Sequence, residues 1–223
     1  GKPCGLLDQS AIAFGGVSYI DFKSTREPIF KSIDWNFDNL NIVLINTGGD
    51  HSDLTDQYAS IRLEMEEVAK AMGMKKLRKV KEKDFYDAIP RLQQTLSGRA
   101  ILRAMHFFDE NKRVDFCAKA VKKNNERKFC EMINASGESS YLMLQNCYAY
   151  GDLTQRIPLA INLSKRFDGV KAVRVHGGGF AGTIIAYVDK KKCDGYVEEM
   201  KTVFGKDNVF VIGVRNDAAT KLF

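Results

Sequence analysis

Residues 170–188 hold two short apolar runs, one on each side of a segment with four glycines in six residues. Both runs have the length and the β-branched content of strands. Glycines at this density permit positive φ angles and let the backbone approach a neighbour closely. The segment therefore predicts two adjacent strands joined by a loop, which is either a tight turn alone or a loop packed against a ligand.

Gly177, Gly179 and Gly182 match the spacing of a dinucleotide-binding loop. Such a site needs the loop to open a helix, because the helix N-terminus holds the pyrophosphate. Residues 183–188 predict a strand instead, and no Gly-Lys-Ser or Gly-Lys-Thr sequence follows the glycines as it does in a P-loop. The pattern excludes both of these nucleotide-binding motifs.

The hydrophobic period along the rest of the chain predicts an α+β fold. We predict strands at 17–22, 40–45 and 209–214, and helices at 54–72, after Pro158 and at 194–204. Residues 84–150 have a helical, polar-rich pattern, with an exposed helix break at 136–140. From residue 40 the order is strand, helix with a helical insert, strand, strand, helix, strand, which is the ferredoxin-like split βαβ order.

Single residues predict the ends and the faces of two helices. Ser52 or Asp53 can cap the helix at 54–72, and Gly73 can end it. In the helix after Pro158, one face carries Leu159, Leu163 and Phe167.

Charge and cysteine content exclude several classes. The net charge is +6, but the basic residues occur in short runs with acidic neighbours, which indicates a solvated surface rather than a nucleic-acid-binding face. The five cysteines include no Cys-x-x-Cys pair, so neither a disulfide framework nor a metal site is predicted. No apolar run reaches the roughly 18 residues of a membrane span. We expect a cytoplasmic protein with reduced thiols and no nucleic-acid or membrane partner.

Asp8 is unusual because it lies among small and apolar residues at 3–13. An aspartate in such a place is either a helix cap or surface charge, or a group that accepts or orients the proton of a sugar hydroxyl. The spacing alone leaves both interpretations open.

Three segments resemble motifs of the galactokinases, which are members of the GHMP small-molecule kinases. Residues 3–9, Pro-Cys-Gly-Leu-Leu-Asp-Gln, are similar to the family's Cys-Gly-x-Met-Asp-Gln signature. Residues 175–182, Val-His-Gly-Gly-Gly-Phe-Ala-Gly, resemble its third motif, Met-Thr-Gly-Gly-Gly-Phe-Gly-Gly. Residues 51–73 resemble the helix that carries the galactokinase tyrosine. The three matches occur in family order and together cover nearly the whole chain.

The resemblance implies a role for each matching position. Asp8 matches the catalytic aspartate, which accepts or orients the proton of the C1 hydroxyl of galactose. The backbone of Gly5 and the hydroxyl of Tyr58 match groups that bind the sugar. The matching loop beside the active site comprises Gly177, Gly178 and Gly179. The implied reaction is in-line transfer of the ATP γ-phosphoryl group to galactose, with Mg²⁺ neutralising charge.

The family's first, sugar-binding motif and its ATP-binding Gly/Ser-rich loop have no counterpart in the 223 residues. We therefore expect the C-terminal part of a galactokinase-like protein, inactive alone, whose partners are galactose, ATP and a missing N-terminal lobe. Residues 1–46 would be a remnant of that N-terminal lobe, and residues 47–223 the C-terminal lobe. Two alternatives stay open: a non-catalytic galactokinase-like sugar sensor, and a ferredoxin-like regulatory module.

Overall fold

The computed structural model describes residues 5–49, 54–180 and 182–219, which form two antiparallel sheets and seven α-helices. Strands β1 (Val17–Asp21) and β2 (Ile29–Ile33) make a hairpin. A four-stranded sheet contains β3 (Leu40–Asn46), β4 (Val170–His176), β5 (Thr183–Asp189) and β6 (Val209–Ile212), in the order β4-β5-β3-β6. All neighbours in this sheet are antiparallel, so the predicted α+β fold with a ferredoxin-like order is confirmed.

The helices are α1 (Leu7–Phe14), α2 (Thr55–Ala71), α3 (Glu82–Leu92), α4 (Gly98–Lys122), α5 (Glu126–Ser139), α6 (Arg156–Arg166) and α7 (Cys193–Phe204). A π-helical turn, Ser140–Leu144, continues α5. Gly73 follows the end of α2 with a φ of +73°, as predicted, while the predicted caps Ser52 and Asp53 lie outside the described residues. Among the described helices, none combines the length and the apolar character that crossing a bilayer requires.

The four-stranded sheet is covered by helices on both faces. Val43 and Ile45 of β3 face a core that α6 and α7 complete. Leu40 and Ile42, on the opposite face, pack with the end of α4, with α5 and with residues that flank the hairpin. Because β3 is buried on both sides, it needs apolar residues at nearly every position, which explains its continuous apolar run.

The helical insert between β3 and β4 has a core of its own. Helices α2, α3 and α4 pack through a third cluster that contains Val68, Phe85 and Ala104, each fully buried. The first half of α4 belongs to this cluster, and its last turns belong to the core beneath the sheet. This one helix, 25 residues long, therefore connects the insert rigidly to the sheet.

The predicted lobe boundary between residues 46 and 47 would separate β3 from the other strands of its sheet. β3 ends at Asn46 but pairs with β5 along its whole length and with β6 over four residues. The unit that carries the sheet therefore begins at or before Leu40, because a boundary after Asn46 would remove its central strand.

One local prediction was wrong. Residues 136–140 are not an exposed helix break: they continue the helix, and Ser136, Gly137, Ser139 and Ser140 are buried against β4 and α4. In α6, Leu159 is exposed, and the buried face comprises Ile157, Pro158, Ala160, Ile161 and Ser164. At residues 136–140 small residues face the core, and a pattern of large apolar residues does not reveal them; in α6 the core face is set by Ile157 and Ile161 rather than by Leu159.

Candidate functional site

The glycine loop, residues 177–180, follows β4 and leads towards β5. Three of its four residues have positive φ angles. Gly177 has a φ of +72° and Gly179 a φ of +80°. Phe180 has a φ of +60°, although it carries a large side chain and is buried. An aromatic residue in this region is an outlier and persists only where its surroundings impose it. The neighbours of the loop are therefore the elements to identify.

Tyr58 of α2 is the first of these neighbours. Its hydroxyl donates a hydrogen bond to the backbone oxygen of Gly179 at 2.8 Å, and its ring meets that of Phe180 edge to face at 5.2 Å. Gly178 is required here, because a Cβ at that position would lie 2.6 Å from the Tyr58 ring. Burial raises the pKa of Tyr58, so the phenol stays protonated and can donate.

Asn146 holds the loop from the other side. Its backbone oxygen accepts a hydrogen bond from the Phe180 N–H at 2.5 Å, and its Nδ2 donates to the Gly178 oxygen at 3.1 Å. A Cβ on Gly179 would overlap the same Asn146 oxygen. The Asn146 Oδ1 is buried and makes no hydrogen bond among the described residues. Asn146 is not among the residues predicted from the sequence, because nothing in its local pattern signals this contact.

The far end of the loop is anchored to the end of β3. Both the N–H and the hydroxyl of Thr47 donate to the Gly182 oxygen, each at 2.7 Å. Arg156 of α6 donates to the Thr47 oxygen at 3.2 Å, and a Cβ on Gly48 would lie 2.8 Å from that guanidinium. The loop is thus fixed at both ends and in its middle.

Asp8 lies in the first turn of α1, where its side chain is exposed. Partial burial lowers the pKa of His176, the last residue of β4, and the positive charge of Arg174 lowers it further, whereas the negative charge of Asp8 raises it. The charge of Asp8 therefore acts on the residue that precedes the glycine loop. Gly5, three residues before Asp8, is exposed, and a Cβ there would meet no atom within 4 Å.

The predicted site residues thus differ in how closely the structure links them to the glycine loop. Tyr58 contacts the glycine loop directly. The negative charge of Asp8 acts on the pKa of His176, the residue before the loop. No described contact links Gly5 to the loop or to Tyr58. In the described part of the chain, no three His, Cys, Asp or Glu side chains are grouped as metal ligands.

The cavity of about 750 Å³ lies elsewhere, between β1, α2 and α4. It is lined partly by ion pairs such as Arg78–Asp21 and Lys112–Glu82, at 2.7 and 2.5 Å. It contains none of the residues that the sequence singled out. The glycine loop therefore remains the candidate site on the basis of its contacts rather than of a deep cavity.

Comparison with known proteins gives consistent matches. No protein-family model matches the chain. The galactokinase of Thermotoga petrophila is 28% identical over 214 residues, which are 94% of this chain and 57% of that protein. The galactokinase of Thermosipho africanus is 30% identical over 186 residues, 83% of this chain and 49% of that protein.

Solved structures agree with the sequence relatives. The crystal structure of Lactococcus lactis galactokinase complexed with galactose matches 99% of this chain and 56% of that one, with a TM-score of 0.80 and 25% identity. The crystal structure of L. major mevalonate kinase in complex with R-mevalonate matches 95% of this chain and 53% of that one, with a TM-score of 0.59 at 17% identity, which shows a shared fold alone. The chain spans about half the length of the curated relatives that it matches.

Proposed function

Because this chain belongs to the galactokinase family of the GHMP kinases, we propose that it carries the sugar-side part of a site that phosphorylates the C1 hydroxyl of galactose with ATP. The observation that carries the proposal is the contact of Tyr58 with the glycine loop at the end of β4. The galactokinase relatives support the reaction, and this contact supports its location beside the loop.

Asp8 is the proton acceptor in this proposal. Its exposed carboxylate can take or orient the proton of the C1 hydroxyl as the hydroxyl oxygen attacks the γ-phosphorus atom. The ionised carboxylate is the form that can accept a proton.

Tyr58, Gly5 and the glycine loop bind and orient the sugar. The Tyr58 hydroxyl donates to Gly179, which holds a phenol, a group that exchanges hydrogen bonds with sugar hydroxyls, against the glycine loop. The exposed backbone of Gly5, Gly177 and Gly178 can approach a ligand without side-chain obstruction. Fixing the sugar in one orientation supplies much of the rate enhancement in such transfers.

The described residues do not by themselves suit ATP and Mg²⁺. The glycine loop leads into β5 rather than a helix, so it lacks the helix N-terminus that would hold a pyrophosphate, and the chain spans about half the length of its galactokinase relatives. We assign the nucleotide to residues of the remaining half of the galactokinase fold. In the two-lobe division, the lobe with the four-stranded sheet begins before Leu40, and the earlier residues are a remnant of the N-terminal lobe.

The test uses the complete gene product that contains this chain. We expect galactose-dependent ADP release, with phosphate on C1 of the sugar by ³¹P NMR. Asp8→Asn should lower kcat by about 10²- to 10⁴-fold, the range for loss of a general base, with a small effect on the KM for galactose.

Asp194→Asn is the matched control. Asp194 is also an exposed carboxylate in the first turn of a helix, α7, but that helix packs on the sheet away from the glycine loop. It should keep kcat within about twofold. A kcat of Asp8→Asn equal to that of the control would remove Asp8 from the mechanism. Galactose binding without ADP release would instead support the sugar-sensor alternative.

A further inference from the structure

The guanidinium of Arg103 lies where the two supports of the glycine loop meet. Arg103 belongs to α4 and is 1% exposed. Its Nη1 donates to Ser60 Oγ of α2 at 3.0 Å and lies 2.9 Å from Glu64 Oε2. Its Nε donates to the backbone oxygen of Leu144 at 3.1 Å. One side chain thus bonds two elements other than its own.

Each of these two elements carries a support of the loop. Ser60 lies two residues after Tyr58, whose hydroxyl bonds the Gly179 oxygen. Leu144 is the last residue of the π-helical turn and lies two residues before Asn146, which bonds Gly178 and Phe180. Moving either element relative to the other would change the separation of the two supports. The strained backbone at Phe180 depends on that separation.

The chemistry of this position requires arginine. A charge buried to this extent is costly unless hydrogen bonds and an opposite charge compensate it, and here three polar groups do so. The planar guanidinium donates in several fixed directions at once, which the point charge of a lysine does not. Glu64 keeps a second partner, the half-exposed Arg99, at 2.5 Å. Both arginines bind Glu64, but only Arg103 of the two bonds Ser60 and Leu144.

We propose that Arg103 is a positioning residue, which sets the spacing between α2 and the turn before Asn146 and thereby holds the glycine loop in its functional conformation. Its role in the reaction rests on the proposed function. Its role in holding the loop does not, and it can be measured in the protein without substrate.

The experiment is amide hydrogen exchange followed by NMR in the full chain. The reporter is the Phe180 N–H, which is protected by the Asn146 oxygen. We expect Arg103→Met and Arg103→Lys to increase its exchange rate by about tenfold, since each loses charge-assisted bonds at the base of the supports. Amides of β3, in the centre of the sheet, report global unfolding and should keep their rates.

Arg99→Met is the matched control, because it removes the other cation of Glu64 without touching Ser60 or Leu144. Its Phe180 exchange rate should stay within about twofold of wild type. If Arg103→Met fails to fold, Arg103→Lys decides, because it keeps a positive charge beside Glu64. Wild-type exchange at Phe180 in the Arg103 variants, or equal acceleration at Phe180 and in β3, would overturn the proposal.

Kinetics of the complete gene product give a second measurement. Loosening of the loop beside the reacting groups should lower kcat by more than it raises the KM for galactose in Arg103→Lys. A wild-type protein without kinase activity would refute the proposed function and leave the exchange result standing. A KM effect alone would refute the positioning role in catalysis.

Discussion

Phe180 adopts a conformation that aromatic residues rarely adopt, and its neighbours explain why it persists. Its N–H is bonded to Asn146, and its ring packs against Tyr58 in a small cluster with Leu54 and Ala149. A strained backbone position costs about 1–3 kcal/mol, so these contacts must exceed that cost. Strain of this kind clusters at functional sites, which agrees with the proposed role of the loop.

Gly179 and Gly177 form a matched pair for measuring how tightly the loop is held. Both have positive φ angles, so alanine at either position carries a left-handed penalty of about 1–2 kcal/mol. A Cβ at Gly179 also overlaps the Asn146 backbone oxygen, whereas one at Gly177 meets nothing within 4 Å. Gly179→Ala should therefore lower the free energy of unfolding by at least about 2 kcal/mol more than Gly177→Ala. Urea unfolding measures both, and equal losses would contradict the tight contact.

Single residues divide into those that the sequence could predict and those that it could not. The glycines and Tyr58 stand in recognisable motifs, so they could be singled out. Asn146 and Arg103 could not, because their contacts join segments that lie tens of residues apart. A lone arginine in a polar-rich helix is typical of a solvated surface, and only the tertiary structure shows that it is buried.

At the scale of elements, small residues decide how closely a helix approaches the sheet. A Cβ on Gly137 of α5 would lie 2.9 Å from the Val173 oxygen of β4 and 3.0 Å from the Cβ of Arg174. Ser136 takes part in the same contact, accepting from Arg174 at 2.5 Å. The glycine therefore serves close packing rather than a break in the helix.

Substituting alanine for Gly137 of α5 and for Gly195 of α7 should change the stability of the protein in opposite directions. Alanine is favoured over glycine inside a helix by about 1 kcal/mol. At Gly195 of α7 the added Cβ would meet Phe167 at an ordinary 3.5 Å, so Gly195→Ala should stabilise the protein by about 0.5–1 kcal/mol. Gly137→Ala should destabilise it by about 1–3 kcal/mol, because the backbone of β4 cannot move away. Thermal unfolding distinguishes the two, and a stabilising Gly137→Ala would show that α5 can shift.

Elements with a strong hydrophobic period were predicted, and those without one were not. β3 could be read directly from its apolar run. α1 was not predicted as a helix, and its large apolar residues Leu7, Ile12 and Phe14 are exposed in the structure. β2 exposes three of its five side chains and depends on pairing with β1. The order of strands and helices along the chain predicted the four-stranded sheet. It did not predict which residues join the helical insert to that sheet.

For the whole molecule, buried phenols predict a loss of stability at high pH. Burial raises the pKa of Tyr196 and of Tyr187 to about 12, from an ordinary value of 10. Between pH 10 and 12 the unfolded chain loses these protons and the folded protein keeps them. Their stabilising contribution is therefore complete below pH 10 and is lost as the pH rises to 12.

Tyr196→Phe tests this sign and magnitude. It should reduce the slope of unfolding free energy against pH by up to about 1.4 kcal/mol per pH unit between pH 10 and 12. Tyr150→Phe is the control, because Tyr150 is 95% exposed and should leave the slope unchanged. Urea unfolding at a series of pH values supplies the data. The same slope in wild type and Tyr196→Phe would show that Tyr196 ionises without unfolding.

The division of the galactokinase fold gives a prediction for activity. The chain spans about half the length of its galactokinase relatives, so we expect the 223-residue chain alone to release no ADP above background with galactose. The complete gene product, assayed in parallel, should turn over. ATP-dependent turnover by the purified chain would show that its residues hold the nucleotide after all.

The long helical insert has a consequence for how the protein is made. Thr47, just after β3, bonds Gly182 across 135 residues, and the other neighbour of β3, β6, is later still. During synthesis, the apolar central strand β3 leaves the ribosome long before its partners exist. Pairing of such distant segments is intrinsically slow, and an unpaired apolar strand is prone to aggregation. Chaperone binding to nascent β3 is therefore the expected requirement for efficient folding in the cell.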